Sequence, residues 1–128
     1  MKVLGPRGHG YVDYLIVLGF LAAPELLDFP VTPQVACYAA GCLHLLVTAG
    51  TAAPFGLVRA IPFPLHGILE FAVSIALVAM PWLIGMSADL TVRSFFVGTG
   101  LFVLAAFLVT DYRRVEPERK RRRSSDAD

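Results

Sequence analysis

The sequence predicts an all-α polytopic membrane protein, with four transmembrane helices built as two tandem two-helix repeats. Three observations carry that prediction. Hydrophobic residues make up 56% of the 128 positions and charged ones 16%, against about 45–50% and about 25% in soluble domains. Formal charge is absent from Phe29 to Val58 and from Ser94 to Thr110, and Glu70 is the only charge between Arg59 and Asp89. The second half of the chain also matches the first.

A bilayer core needs about 20 apolar residues per helix. That length places the spans at about 9–28, 34–53, 65–86 and 92–112, with the first the least apolar because Asp13, Glu25 and Asp28 fall at its ends. Residues 1–8 form a short N-terminal segment, 9–112 the transmembrane domain and 113–128 a basic tail too polar to fold. A signal-peptide reading of Lys2, Arg7 and the LIVLGFLAA stretch would remove half of the repeat.

Of eleven Lys and Arg residues, ten fall on one side of a four-pass arrangement: Lys2, Arg7, Arg59, Arg113, Arg114 and Arg119, Lys120, Arg121, Arg122, Arg123. Arg93 alone falls on the other. Basic residues stay inside, so both termini and the 54–64 loop are expected in the cytoplasm. The run at 119–123 would also attract anionic lipid. No nucleic-acid module accompanies it.

Shifted by 57 residues, His9 falls on His66, Gly10 on Gly67, Asp13 on Glu70, Tyr14 on Phe71, Pro24 on Pro81, Tyr38 on Phe95 and Gly41 on Gly98. A two-residue gap brings Thr51 onto Thr110. The repeats run from about 9 to 53 and from about 66 to 112. Each holds two helices, so both copies enter the membrane from one side, and both His/acid pairs lie at the same depth.

The pattern His-Gly-x-x-acid-aromatic, an apolar helix, then Pro81-Trp82 resembles the bacterial SPW-repeat membrane proteins. Met80 stands where that family has serine, and Ala23-Pro24-Glu25 lacks both the serine and the tryptophan. The ending Thr110-Asp111-Tyr112 and the link TAAPFGLVRAIP are similar to the family's inter-repeat segment, with Ala52 and Ala53 replacing its Asp-Tyr. The resemblance covers about residues 9–112. It implies a four-helix unit in the bacterial plasma membrane and no established activity.

The candidate polar or structural site is His9, Asp13, His66, Glu70, His44 and Trp82. The i, i+4 spacing of His9–Asp13 and His66–Glu70 puts each pair on one helix face. With Pro64 in the first turn, Glu70 sits about 9 Å along the axis at about 1.5 Å per residue, in the interfacial zone or just below it. The leading reading is a pair that anchors helix entry and holds the repeats together. Two sharper readings stay open: His9 and His66 as ligands of haem or a metal ion in a redox subunit, and a small channel or carrier using intramembrane ionisable groups.

His44 lies mid-helix on a small, weakly polar face with Cys37, Ala40, Gly41 and Thr48, suited to close helix contact; the shift pairs it with Leu101. Cys37 and Cys42, five apart, fall on different faces and match no redox or metal spacing. Pro24 and Pro81 should kink or end their helices, leaving Trp82 at the outer interface and bringing Glu25 within reach of Arg93.

There is no phosphate loop, no nucleophile–base arrangement and no Cys/His metal motif, so no catalytic residue or cofactor is assigned. The function expected is that of a non-enzymatic membrane bundle acting through lipid or protein contacts, as a homo-oligomer or beside a membrane-complex partner.

Overall fold

The computed structural model describes residues 2–113. Four α-helices follow one another: α1 (Pro6–Leu26), α2 (Val31–Ala49), α3 (Phe63–Leu83) and α4 (Leu90–Val109). Three of them, α2, α3 and α4, are long and apolar enough to cross a membrane. Helix α1 carries Arg7, Asp13 and Glu25 and is not among those three. The basic run at 119–123 lies outside the described residues.

Beside an apolar core that includes Phe20, Leu77 and Phe96, the burial pattern departs from that of a water-soluble bundle. His9, Asp13, Thr48, Thr51 and Thr110 are each 0% exposed, whereas Leu18, Leu46 and Leu101 are 63%, 70% and 53% exposed. Water would favour the reverse order. A hydrocarbon surrounding favours leucine outside and hydrogen-bonding groups inside.

Each helix pair is closed by local chemistry. Pro6 starts α1, and Pro64 lies in the first turn of α3, where a missing N–H costs nothing. Pro24 and Pro81 lie two residues before the helix ends, which realises the expected ending. Beyond them the chain turns back through Asp28 (φ 51°) and Gly85 (φ 69°). Phe29 N donates to Pro24 O at 3.0 Å, and Met86 N to Pro81 O at 2.8 Å, so carbonyls left over at both C-termini are satisfied in the same way. Asp89 then caps α4 by accepting from Val92 N at 3.0 Å.

Helix α1 packs on α2, α3 packs on α4, and α1 also touches α4. The buried positions of α1 recur in α3 at a spacing of 57: Pro6 and Phe63, His9 and His66, Gly10 and Gly67, Asp13 and Glu70, Val17 and Ser74, Phe20 and Leu77, Pro24 and Pro81. The buried positions of α2 recur in α4 two residues further on: Pro33 and Val92, Cys37 and Phe96, Gly41 and Gly100, His44 and Val103.

This corrects the register expected for the second helices. Gly41 corresponds in packing to Gly100 rather than Gly98, and His44 to Val103 rather than Leu101. A Cβ on Gly100 would meet Val78 and the Ser74 carbonyl within 2.9 Å, whereas one on Gly98 would meet nothing within 4 Å. The offset between matched buried positions changes from 57 to 59 between Met86 and Val92, around the link before α4.

The C-terminal carbonyls of α2 and α4 are met by short extended segments from the other half. Val3 N and Leu4 N donate to Val109 O at 2.9 and 3.0 Å, and Asp111 N to Leu4 O at 3.1 Å. Ala60 N and Ile61 N donate to Gly50 O at 3.0 and 2.8 Å, and Ala52 N to Ile61 O at 2.7 Å. Both segments bring the N-termini of α1 and α3 and the C-termini of α2 and α4 to one end of the bundle.

Candidate functional site: a buried histidine and carboxylate cluster

At that end the helices enclose five of the six candidate residues. His9 and Asp13 come from α1, His44 from α2, and His66 and Glu70 from α3, all 6% exposed or less. Trp82 stands at the far end, 58% exposed, as an interfacial indole would. Glu25 does not meet Arg93: Glu25 Oε1 accepts from Tyr38 Oη at 2.8 Å, and Arg93 donates to Ser87 O at 2.9 Å.

The His/acid pairs are buried, and their pairing crosses between the halves. His66 Nε2 lies 3.2 Å from Asp13 Oδ2, and His9 Nε2 lies 3.4 Å from Glu70 Oε2. Within the first pair, His9 Nε2 to Asp13 Oδ1 is also 3.4 Å. The two imidazoles meet directly, Nε2 to Nε2, at 3.2 Å with their planes at 83°. His44 Nε2 lies 3.4 Å from Asp13 Oδ1, and neither atom completes a hydrogen bond among the described residues.

Two threonines orient the rings. His9 Nδ1 is 2.9 Å from Thr110 Oγ1, and His66 Nδ1 is 2.9 Å from Thr51 Oγ1. Each hydroxyl already donates its one hydrogen to a carbonyl four residues back: Thr110 to Ala106 O and Thr51 to Val47 O, both at 2.6 Å. A hydroxyl has one proton to give, so toward the imidazole each threonine must accept. We therefore assign the Nδ1–H tautomer to both histidines, which leaves both Nε2 atoms as acceptors when the rings are neutral. Two nitrogen lone pairs and the carboxylates of Asp13 and Glu70 thus converge on one buried point.

Donors to that point are few. Thr48 Oγ1 donates to Asp13 Oδ2 at 3.3 Å, and Tyr112 Oη donates to Glu70 Oε2. Tyr112 lies just past α4; burial first, and the neighbouring Glu70 carboxylate second, push its phenol above the ordinary range, so it remains a donor. Its ring also packs on His9 with centroids 5.4 Å apart, and Phe63 does so at 5.6 Å.

The glycine after each histidine has a steric reason. A Cβ on Gly10 would lie 2.4 Å from the Phe55 side chain, and one on Gly67 would lie 2.9 Å from Tyr112. Each aromatic residue caps the cluster by lying directly on a bare stretch of helix. Tyr14 Oη fixes the Phe55 cap by donating to Phe55 O at 2.9 Å.

Thr48, Thr51, Thr110 and Tyr112 were not among the sequence candidates. The signal that points to them is the recurrence of Thr51 at Thr110, together with the placement of Thr48 on the His44 face. No family model, no curated relative and no solved structure matches this chain.

Proposed function

We propose that this chain is a small non-enzymatic membrane bundle whose two halves are clasped by a divalent transition-metal ion held between His9 and His66. One observation carries the proposal: two Nε2 lone pairs, fixed by threonine acceptors, face each other at 3.2 Å with carboxylate oxygens 3.2–3.4 Å away. Among the described residues only Thr48 and Tyr112 complete donor contacts into this pocket, so its acceptors outnumber its donors, which suits a cation. A tetrahedral ion with bonds of about 2.0–2.1 Å separates neighbouring ligand atoms by about 3.3–3.4 Å. His9, His66 and Glu70 offer three ligand atoms within 4.8 Å of one another, and Asp13 is the fourth candidate.

Charge supports the same reading. A divalent ion balances the Asp13 and Glu70 carboxylates, and an unbalanced buried charge is costly. The threonine contacts at Nδ1 match the outer-shell hydrogen bonds that orient metal-bound imidazoles. The geometry favours a bare ion over haem. At 3.2 Å apart, the two Nε2 atoms leave no room for a porphyrin between the rings.

In this reading α1 is the fourth transmembrane span, its polar groups turned inward. The chain lies in a bacterial plasma membrane with both termini in the cytoplasm, and it belongs with the SPW-repeat proteins. The recurrence of buried positions and end-pairing hydrogen bonds in the two halves supports a tandem duplication.

The test is metal analysis of detergent-purified protein before and after chelation. One ion per chain is expected, together with a fall in melting temperature on chelation. Both should be lost in the His9→Ala, His66→Ala double variant. Protein that is metal-free, takes up no zinc, manganese or iron, and melts at the same temperature with and without chelator would overturn the proposal.

A further inference from the structure

Two buried polar atoms complete no hydrogen bond among the described residues and yet lie 3.4 Å apart: Asp13 Oδ1 of α1 and His44 Nε2 of α2. Asp13 is 0% exposed and His44 6%. A buried acceptor left without a donor is costly. The other nitrogen close to Asp13 Oδ1 is His9 Nε2, also at 3.4 Å. That nitrogen is bare when Thr110 accepts from His9 Nδ1, so it has no hydrogen to give. Among the described residues the donor within reach of Asp13 Oδ1 is therefore an Nε2–H on His44. One hydrogen there satisfies both orphaned atoms. A shift of about half an ångström brings them to the about 2.7–2.9 Å of a charge-assisted bond.

His44 and Thr48 lie one turn apart on one face of α2, and both are directed at Asp13. Thr48 Oγ1 donates to Oδ2 at 3.3 Å, and His44 stands at Oδ1. Asp13 is thus addressed at both oxygens, whereas Glu70 Oε1 completes no hydrogen bond among the described residues. A carboxylate addressed at both oxygens is held against rotation about its Cβ–Cγ bond. Its Oδ2 then stays 3.2 Å from His66 Nε2, where the proposed ion takes its fourth ligand. Packing alone does not require a histidine at this place, since Val103 fills the corresponding place in the other half.

We infer that His44 is a positioning residue for the proposed ion: its ring donates Nε2–H to Asp13 Oδ1 and so holds Asp13 Oδ2 beside His66 as a metal ligand. His44 carries its hydrogen on the nitrogen that His9 and His66 keep bare. This role depends on the ion proposed above.

The test titrates zinc, manganese(II) and iron(II) into the full chain in detergent, against a competing chelator. Loss of an outer-shell partner typically lowers metal affinity about 10–100-fold. His44→Leu should show a loss of that size while still taking one ion per chain. His44→Gln presents an amide N–H to the same oxygen and should recover most of the lost affinity. A packing role would favour leucine over glutamine among these helices, so recovery by glutamine separates positioning from packing. The wild-type chain has three histidines. In its nitrogen-15 spectrum the His44 ring, assigned through its backbone, should carry hydrogen on Nε2. That spectrum keeps the test decisive should a variant fail to fold.

A bare Nε2 on His44 would overturn the inference, as would unchanged affinity in His44→Leu or no recovery in His44→Gln. A wild-type chain that binds none of the three ions defeats the proposed ion and this role with it. Full-affinity binding by His44→Leu leaves the ion standing and removes only the role of His44.

Discussion

His9 and His66, 57 residues apart in the chain, point their Nε2 atoms at each other across 3.2 Å. Each ring is held from behind by a threonine at the end of the other half's second helix. The cluster therefore joins the two halves.

Crossed pairing makes energetic coupling cross the halves as well. Contacting groups in one network typically couple by about 0.5–3 kcal/mol. The double variant His66→Ala, Asp13→Asn should deviate from additivity by about 1 kcal/mol or more in detergent thermal unfolding. The helical neighbours His66→Ala, Glu70→Gln should deviate less. Equal coupling in both pairs would contradict the crossed geometry.

The tautomer assignment can be read directly. Nitrogen-15 spectra of imidazole-labelled protein should show hydrogen on Nδ1 for His9 and His66. Thr51→Val and Thr110→Val each strand a buried ring N–H and should cost about 1–3 kcal/mol. A spectrum with hydrogen on Nε2 of both rings would remove the acceptor pocket and the case for a cation.

Glycine-to-alanine changes separate tight contacts from open ones. Gly10→Ala and Gly67→Ala push a Cβ against Phe55 and Tyr112, and overpacking of this kind costs about 1–3 kcal/mol. Gly100→Ala should cost as much, because Ser74 backbone lies in its way. Gly19→Ala and Gly98→Ala meet nothing within 4 Å and should stabilise their helices by about 0.5–1 kcal/mol. Chemical denaturation of the five variants checks the set, and a destabilising Gly98→Ala would restore the register of 57 for the second helices.

Topology can be checked from outside intact cells. Cysteines engineered at 30–33 and 87–90 should react with an impermeant reagent, and one at 57 should not. Reaction at 57 would defeat the arrangement with both termini inside.

The sequence by itself determined the helix content, the number of helices and their order, because apolar length and proline placement act locally. It also determined that α1 and α3 share a register, because His-Gly-x-x-acid-aromatic recurs without a gap. Burial of Cys37, Gly41, His44 and Thr48 on one face of α2 was legible from a spacing of three to four residues. Tertiary structure alone decided which acid meets which histidine. The i, i+4 spacing places His66 above Glu70 on one helix but carries nothing about α1, whose Asp13 comes 3.2 Å from His66 Nε2. Tertiary structure also decided the offset at which the buried positions of α2 and α4 match. Apolar helices align almost equally well at neighbouring shifts, whereas close helix contact accepts Gly100 and rejects a side chain there. The roles of Thr51, Thr110 and Tyr112 emerged only when chain ends far apart in sequence closed over one another, since a hydroxyl's direction depends on the partner that folding brings to it.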